Sequence, residues 1–414
     1  MKTWITYLAS ILLGLATTLL LGDSIYISSL ISTLSQIVMN VGLLLFIPLV
    51  LVGFSSGVAS LRKDNLGSNN LKGIVLWSVV TALILPICAT LIFTLYPVAF
   101  PVTSTAGQES FSDSLLVSMF SSAGNQLLSG NPFYTLATAS SFILPIVIIS
   151  WILGYALKPN ADVIKPAYSI VNSFSEVMFR LSRAYTVLGY IIVYIASTQT
   201  FTALYQEKTV FVAPKFVAIF TSITALTSLI IIPIIYAIIT KGKRNPYKDT
   251  FRSLSAMFMA LTTSNILVTA PVIESTSRHN NGVQKRTAAT ATPLYTIISR
   301  GGTATITAIS TLSILTAVTG NSLDIKTSLI VALFSALSSF AASLAPGFEV
   351  MFTSIIVFKL ANVTLYGAEM TIMGILPLIN GLALLLDAQL AMLGNVVAAT
   401  FIKTDIKPPY KDIL

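Results

Sequence analysis

Three ionisable residues, Arg300, Glu349 and Asp387, stand deep inside apolar stretches of this chain. Arg300 lies about a dozen residues into a span from about Thr287 to Val318, and Asp387 about as far into the span 371–402. At a rise of about 1.5 Å per residue, both reach the middle of a bilayer. A guanidinium there costs about 2.5–3.5 kcal/mol even on a lenient insertion scale. Gly301 and Gly302 beside it invite the helix to unwind, freeing backbone groups that a ligand, an ion or buried protein must satisfy. The chemistry open to such a set is recognition of a small charged solute. The guanidinium would hold a carboxylate, and Asp387 or Glu349 would meet an amine or carry a proton. The alternative for Arg300 and Asp387 is a buried ion pair that holds the fold together. For Glu349, just past Pro346-Gly347, it is an outward-facing gate.

The elements around these residues are membrane helices. Of 414 residues 55% are hydrophobic and 9% charged, and the mean hydropathy is +0.85. Soluble domains carry about 25% charged residues, so the chain is an integral membrane protein. Its net charge of +9 gathers in short loops between apolar spans, which points to membrane topology and away from nucleic acid. One cysteine, Cys88, and one histidine, His279, leave no disulfide framework and no Cys/His metal or haem site. They also leave no nucleophilic triad, so an enzyme is not expected and no cofactor is expected beyond coupling ions.

Apolar runs long enough to cross the membrane lie near 4–21, 36–60, 72–97, 133–157, 167–196, 213–240, 287–318 and 371–402. Lys2 and the run to Leu21 resemble a signal peptide, but no small-x-small cleavage site precedes Asp23, so this is read as the first spanning helix. Arg62, Lys63 and Lys72, then Lys158 and Lys165, then Lys241, Lys243, Arg244 and Lys248, then Lys403, Lys407 and Lys411 mark one side. Loops 22–35 and 98–132 carry no Lys or Arg, while Lys208 and Lys215 are an exception partly balanced by Glu207. The positive-inside rule puts both termini in the cytoplasm of a cell (inner) membrane.

Two stretches do not fit simple crossings. Residues 253–277 lie between basic loops and carry Thr262-Thr263-Ser264-Asn265 at their middle, which suits a polar turn at depth. Residues 327–366 form a counterpart in which two apolar arms flank Ala345-Pro346-Gly347. Both read as re-entrant hairpins. Hairpin, span, hairpin from the other side, span is an inverted repeat whose site lies where the broken segments converge. The expected fold is all-α: about eight transmembrane helices plus two re-entrant hairpins.

These residues resemble the glutamate transporter family of sodium/dicarboxylate and amino-acid symporters, most densely from Asn131 to Thr404. Asn131-Pro132-Phe133, the basic loop Lys241–Arg252, both hairpins, the Pro-Gly tip and Thr292-Pro293-Leu294 followed by Gly302-Thr303 fall in the family's order. The resemblance implies a homotrimer in the lipid bilayer with an elevator mechanism and a small-molecule substrate, an amino acid or dicarboxylate, and no nucleic acid. It also implies scaffold helices at 1–66 and 110–205, with the moving transport domain at 71–100 and 210–402.

The departures from the family matter equally. Where the family reads Asn-Met-Asp-Gly-Thr, this chain has Ser299-Arg300-Gly301-Gly302-Thr303, so Gly301 replaces a sodium-ligating aspartate. Anchored on Gly394-Asn395, Asn380 and Leu384 fall at two aspartates, Asp387 at an arginine, Ala391 at an asparagine and Asn395 at a final aspartate. The family's Thr-Ser sodium ligands of helix 3 fall near Leu85-Pro86. Taking the resemblance together with the charge chemistry above, the substrate-facing set is Thr262, Thr263, Ser264, Asn265, Arg300, Thr303, Ala345, Pro346, Gly347 and Asp387; the set for cation or proton coupling is Ser299, Gly301, Glu349, Asn380 and Asn395. With its charges reshuffled, the chain is open to cation-coupled symport of dicarboxylates or amino acids such as glutamate and aspartate, to proton-coupled uptake or exchange of neutral amino acids, or to a channel-like or sensing role.

The remaining polar residues read as structural. Hydroxyls at 262–264 have the alternative of bonding carbonyls one turn back. Arg180 and Arg183 are expected to snorkel or pair with Glu176, and Asn69-Asn70 and Gly282 to mark loops.

Overall fold

The computed structural model describes residues 2–22, 24–101, 112–127, 130–138, 142–206, 213–320, 323–361 and 368–403. Glu207, Lys208, Lys407 and Lys411 lie outside them. The described residues form helices α1 (Thr3–Leu21), α2 (Ile25–Leu49), α3 (Ser55–Lys63), α4 (Gly67–Leu95), α5 (Ser112–Leu127), α6 (Pro132–Thr138), α7 (Leu144–Ala156) and α8 (Lys165–Gln206). The second half adds α9 (Pro214–Leu226), α10 (Ile232–Ile239), α11 (Pro246–Arg252), α12 (Leu254–Thr263), α13 (Ile266–His279), α14 (Lys285–Ile298), α15 (Gly301–Thr319), α16 (Ile325–Ser339), α17 (Glu349–Leu360) and α18 (Ala368–Phe401). Seven stretches among the described residues are helical, long and apolar enough to cross a membrane. The chain is an all-α, multi-pass membrane protein.

Several boundaries differ from expectation. Residues 25–35, expected in a loop, begin α2, which packs along α8 and runs through a π-helical turn, Val50–Phe54, into α3. The expected span 133–157 is α6 and α7, and residues 139–141 between them lie outside the described residues. Asn69 and Asn70 belong to the first turn of α4, and Asn70 is buried, donating to Thr290 Oγ1 at 2.9 Å. Between α9 and α10 lies a π-helical turn, Thr227–Ile231. Its cause is Pro233, whose ring would collide with the carbonyl of Leu229 in a regular helix.

Helix α8 packs along much of the bundle, against α1, α2, α12 and α13. Helices α1 and α2 lie along α8, and α3 packs on α7. Helix α4 packs instead on α15, α16 and α18. Helices α12 and α13 form one helical hairpin and α16 and α17 another, and α18 packs against both. The second hairpin's tip is longer than the Ala345-Pro346-Gly347 turn expected, running from Phe340 to Phe348 with a 3-10 turn at Ala342–Leu344. Helix α18 threads both apolar cores, giving Ile372–Ala383 to one and Leu384–Ala399 to the other. Its most apolar window is 94% buried, against 22% for α1.

Candidate functional site

The span around Arg300 is broken, as its glycines lead one to expect. Helix α14 stops at Ile298, Ser299 and Arg300 leave helical geometry, and α15 starts at Gly301. The residue at the N-cap of α15, Arg300, makes no capping bond with its own side chain. Asp387, from α18, supplies the cap. Its Oδ1 accepts from the Gly302 N–H at 2.7 Å and the Thr303 N–H at 3.2 Å, and its Oδ2 accepts from the Thr303 hydroxyl at 2.6 Å. A carboxylate at the positive end of a helix is favourable both as cap and as charge. Position 302 must be glycine for this approach: a Cβ there would run into the Ala383 carbonyl oxygen and lie 2.7 Å from the Asp387 nitrogen.

Arg300 is 1% exposed, and its Nη1 lies 3.7 Å from Asp387 Oδ2 and 3.9 Å from Glu349 Oε1. It thus sits between two carboxylates, not in a single pair with Asp387. Both distances are longer than a hydrogen bond. Arg300 Nε and Nη1 and Glu349 Oε1 are buried without hydrogen-bond partners. The other Glu349 oxygen, Oε2, is engaged, accepting from the Gly347 N–H at 2.9 Å and Asn380 Nδ2 at 2.8 Å. One guanidinium against two carboxylates leaves one surplus negative charge when all three are ionised.

Above this cluster the two hairpin tips meet. Ser264 ends α12 in the left-handed region (φ 46°, ψ 34°), and Asn265 Oδ1 caps α13 by accepting from the Leu267 N–H at 2.9 Å. The Thr262 and Thr263 hydroxyls bond carbonyls of their own helix, at Phe258 and Met259. In the second tip Gly347 adopts φ +88°. Asn380 of α18 fastens both tips: it donates to the Ser264 carbonyl at 3.3 Å and to Glu349, and accepts from the Val350 N–H at 3.2 Å. A cavity of ≈ 410 Å³ opens between the tips and α2 and α8, with Ser264, Gly347 and Asn380 on one wall and Gln199 and Thr200 on the other.

Of the residues expected at the site, Arg300, Thr303, Glu349, Asn380 and Asp387 come together. Ser264, Ala345, Pro346 and Gly347 lie in the two tips. Ser299 Oγ is buried and without a partner. Gly301 meets the backbone of Thr81 in α4, where a Cβ would be 3.1 Å from the Thr81 carbonyl; Thr81 precedes the expected Leu85-Pro86 by about one turn. Asn395 is not brought to the cluster. It donates to Ser277 Oγ at 2.8 Å and Thr292 Oγ1 at 2.9 Å, about 12 Å along the helix from Asp387. Glu176 pairs with Lys285 at 3.3 Å, and no bond to Arg180 or Arg183 joins it there. Thr200, which donates to the Thr262 carbonyl at 3.1 Å, is a contact that sequence reasoning missed. Its signal was present in the polar run Ser197-Thr198-Gln199-Thr200 inside an apolar helix.

Broken helices, a buried charge cluster and two converging tips define a membrane transporter of the secondary class. The model of the sodium:dicarboxylate symporter family matches residues 4–404, and the chain belongs to that family. No curated protein matches the chain at a significant level.

Proposed function

We propose that the chain is a cation-coupled symporter of amino acids whose substrate places its carboxylate on Arg300 and its amine on Glu349. The observation that carries this is the unspent hydrogen-bonding capacity of Arg300 Nε and Nη1 and of Glu349 Oε1, with Nη1 and Oε1 3.9 Å apart. Unpaired buried donors and acceptors are costly, and a zwitterion offers both complements at once. Asp387, whose oxygens are spent on the α15 N-terminus, serves in this reading to hold the break open. A dicarboxylate, in contrast, would add two negative charges to a site already one in surplus, and would need more than one accompanying cation. A sodium ion at oxygens near Ser299, whose hydroxyl is buried without a partner, would supply the coupling charge.

In this reading α4, which packs on α15, α16 and α18, travels with the elements from α9 onward against α1–α3 and α6–α8, in a homotrimer with both termini cytoplasmic. Uptake of labelled neutral amino acids, glutamate, aspartate and succinate into proteoliposomes, under a sodium gradient, a proton gradient or neither, tests the reading. Saturable accumulation of an amino acid under one cation gradient is expected. Saturable binding without accumulation under either gradient would instead mean a sensing protein on the same fold.

A further inference from the structure

Apart from the charge cluster, the basic end of the bundle holds two adjoining cavities. One, of ≈ 360 Å³, is lined by Arg62, Lys63 and Lys158 together with Ala59, Leu157 and Pro159, and no aspartate or glutamate is among its lining residues. The other, of ≈ 520 Å³, is a mainly apolar groove with Phe54, Leu61, Leu71, Ile74 and Leu294 on its walls. Arg62 lines both. Its guanidinium lies 3.9 Å over the Tyr155 ring and donates to the Tyr155 carbonyl, which holds it at the junction. Lys63 closes the last turn of α3, and Lys158 stands two residues past the end of α7. Trp151 and Tyr155, both beside the groove, are 54% and 55% exposed, as aromatic residues at a headgroup level are. On the groove wall, Asn70 Oδ1 is buried and accepts no hydrogen bond.

We propose that the two cavities form one site for an anionic phospholipid. Its phosphate sits among Arg62, Lys63 and Lys158, and an acyl chain lies in the groove. Three cations without a carboxylate give the pocket a charge that only an anion complements, and clustered Lys and Arg at a membrane surface attract anionic lipid. A free phosphate would use the cationic pocket and leave the groove empty; the continuity of the two through Arg62 fits a headgroup with its tail. Helices α3 and α7 supply one side of the groove, and α4 and α14 the other. A bound lipid therefore lies between the two bodies of the elevator reading, although the site itself does not rest on that reading.

The test uses the purified full chain, delipidated in detergent and titrated with phosphatidylglycerol, phosphatidylcholine or glycerol 3-phosphate, with binding read by native mass spectrometry and by the unfolding temperature. Phosphatidylglycerol is expected to bind and stabilise, with little effect of the other two. The R62Q/K63Q/K158Q variant should weaken its binding by about a hundredfold. L71W, which fills the groove from an exposed position, should weaken it while leaving the unfolding temperature of the lipid-free protein unchanged. Should the triple variant fold poorly, K63Q/K158Q, at two exposed positions, makes the same test with about a tenfold effect or more. Equal binding of phosphatidylcholine, equal binding of glycerol 3-phosphate, or a groove sealed by a second copy of the chain would each overturn the proposal.

Discussion

The two hairpin tips solve the same problem, reversing a chain inside the protein, in opposite ways. The first is short: one left-handed serine, Ser264, followed by Asn265, whose side chain caps the outgoing helix. It carries no charge, and its threonine hydroxyls are spent on their own backbone. The second is longer, turns through Gly347, and starts its outgoing helix with Glu349, whose Oε2 bonds back to Gly347. It brings a charge into the core and leaves one carboxylate oxygen open. Both tips are fastened by Asn380, and the first also by Thr200, but only the second faces Arg300 and leaves a carboxylate oxygen, Glu349 Oε1, without a partner. The difference lies in charge: the first tip is neutral, and the second carries a carboxylate with one unpartnered oxygen.

Removing the cation should separate the tips most strongly. Arg300→Gln leaves two buried carboxylates uncompensated, and a loss of about 3–5 kcal/mol is expected in detergent unfolding, with much of it restored in the Arg300→Gln/Glu349→Gln double variant. A loss below about 1 kcal/mol would mean that the cluster does not depend on its cation. Asn380→Ala should cost about 1–3 kcal/mol, because Glu349 and Ser264 both lose a donor. Thiol labelling of single cysteines placed in each tip, in a background lacking Cys88, should then show the second tip opening first. Equal opening would erase the distinction. Gly347→Ala forces an alanine into left-handed backbone and should lower stability by about 1 kcal/mol. Asn265→Ala removes a cap at a similar cost of about 1 kcal/mol, but should leave substrate affinity unchanged. Ser264→Gly should have the smallest effect and the opposite sign, a gain of no more than about 0.5 kcal/mol, since relief of the left-handed serine is offset by the freedom of glycine in the unfolded chain. A fall in unfolding temperature would show that the weak Ser264 Oγ bond to the Pro377 carbonyl at 3.4 Å matters more than the strain.

What could be read in advance follows from how each feature is encoded. A charge beside two glycines at depth announces a broken helix, and Arg300 delivers one. Basic loops on both sides of 253–277 announce a segment that turns back, and α12 and α13 form a hairpin there. By contrast, the partners of a neutral polar residue carry no local mark. Asn380 meets Ser264 and Glu349 at sequence separations of 116 and 31 residues, and nothing near position 380 names them. The start of α2 was hidden for a similar reason: Ser28, Ser29 and Ser32 look like a loop until α8 supplies a surface to pack on. Asp387 was visible as a charge, but its use as a cap for another helix depends on how closely α18 passes Gly302, which only packing decides.

The position of α18 in the chain has a consequence for biogenesis. Asn380 and Asp387 belong to the last helix described, so Arg300 and Glu349 leave the ribosome before the residues that complete their surroundings. Until then a bare guanidinium must wait in the insertion machinery, or in lipid, with an uncapped helix end beside it. Assembly of this centre is thus a late event by construction, completed only once α18 has been made.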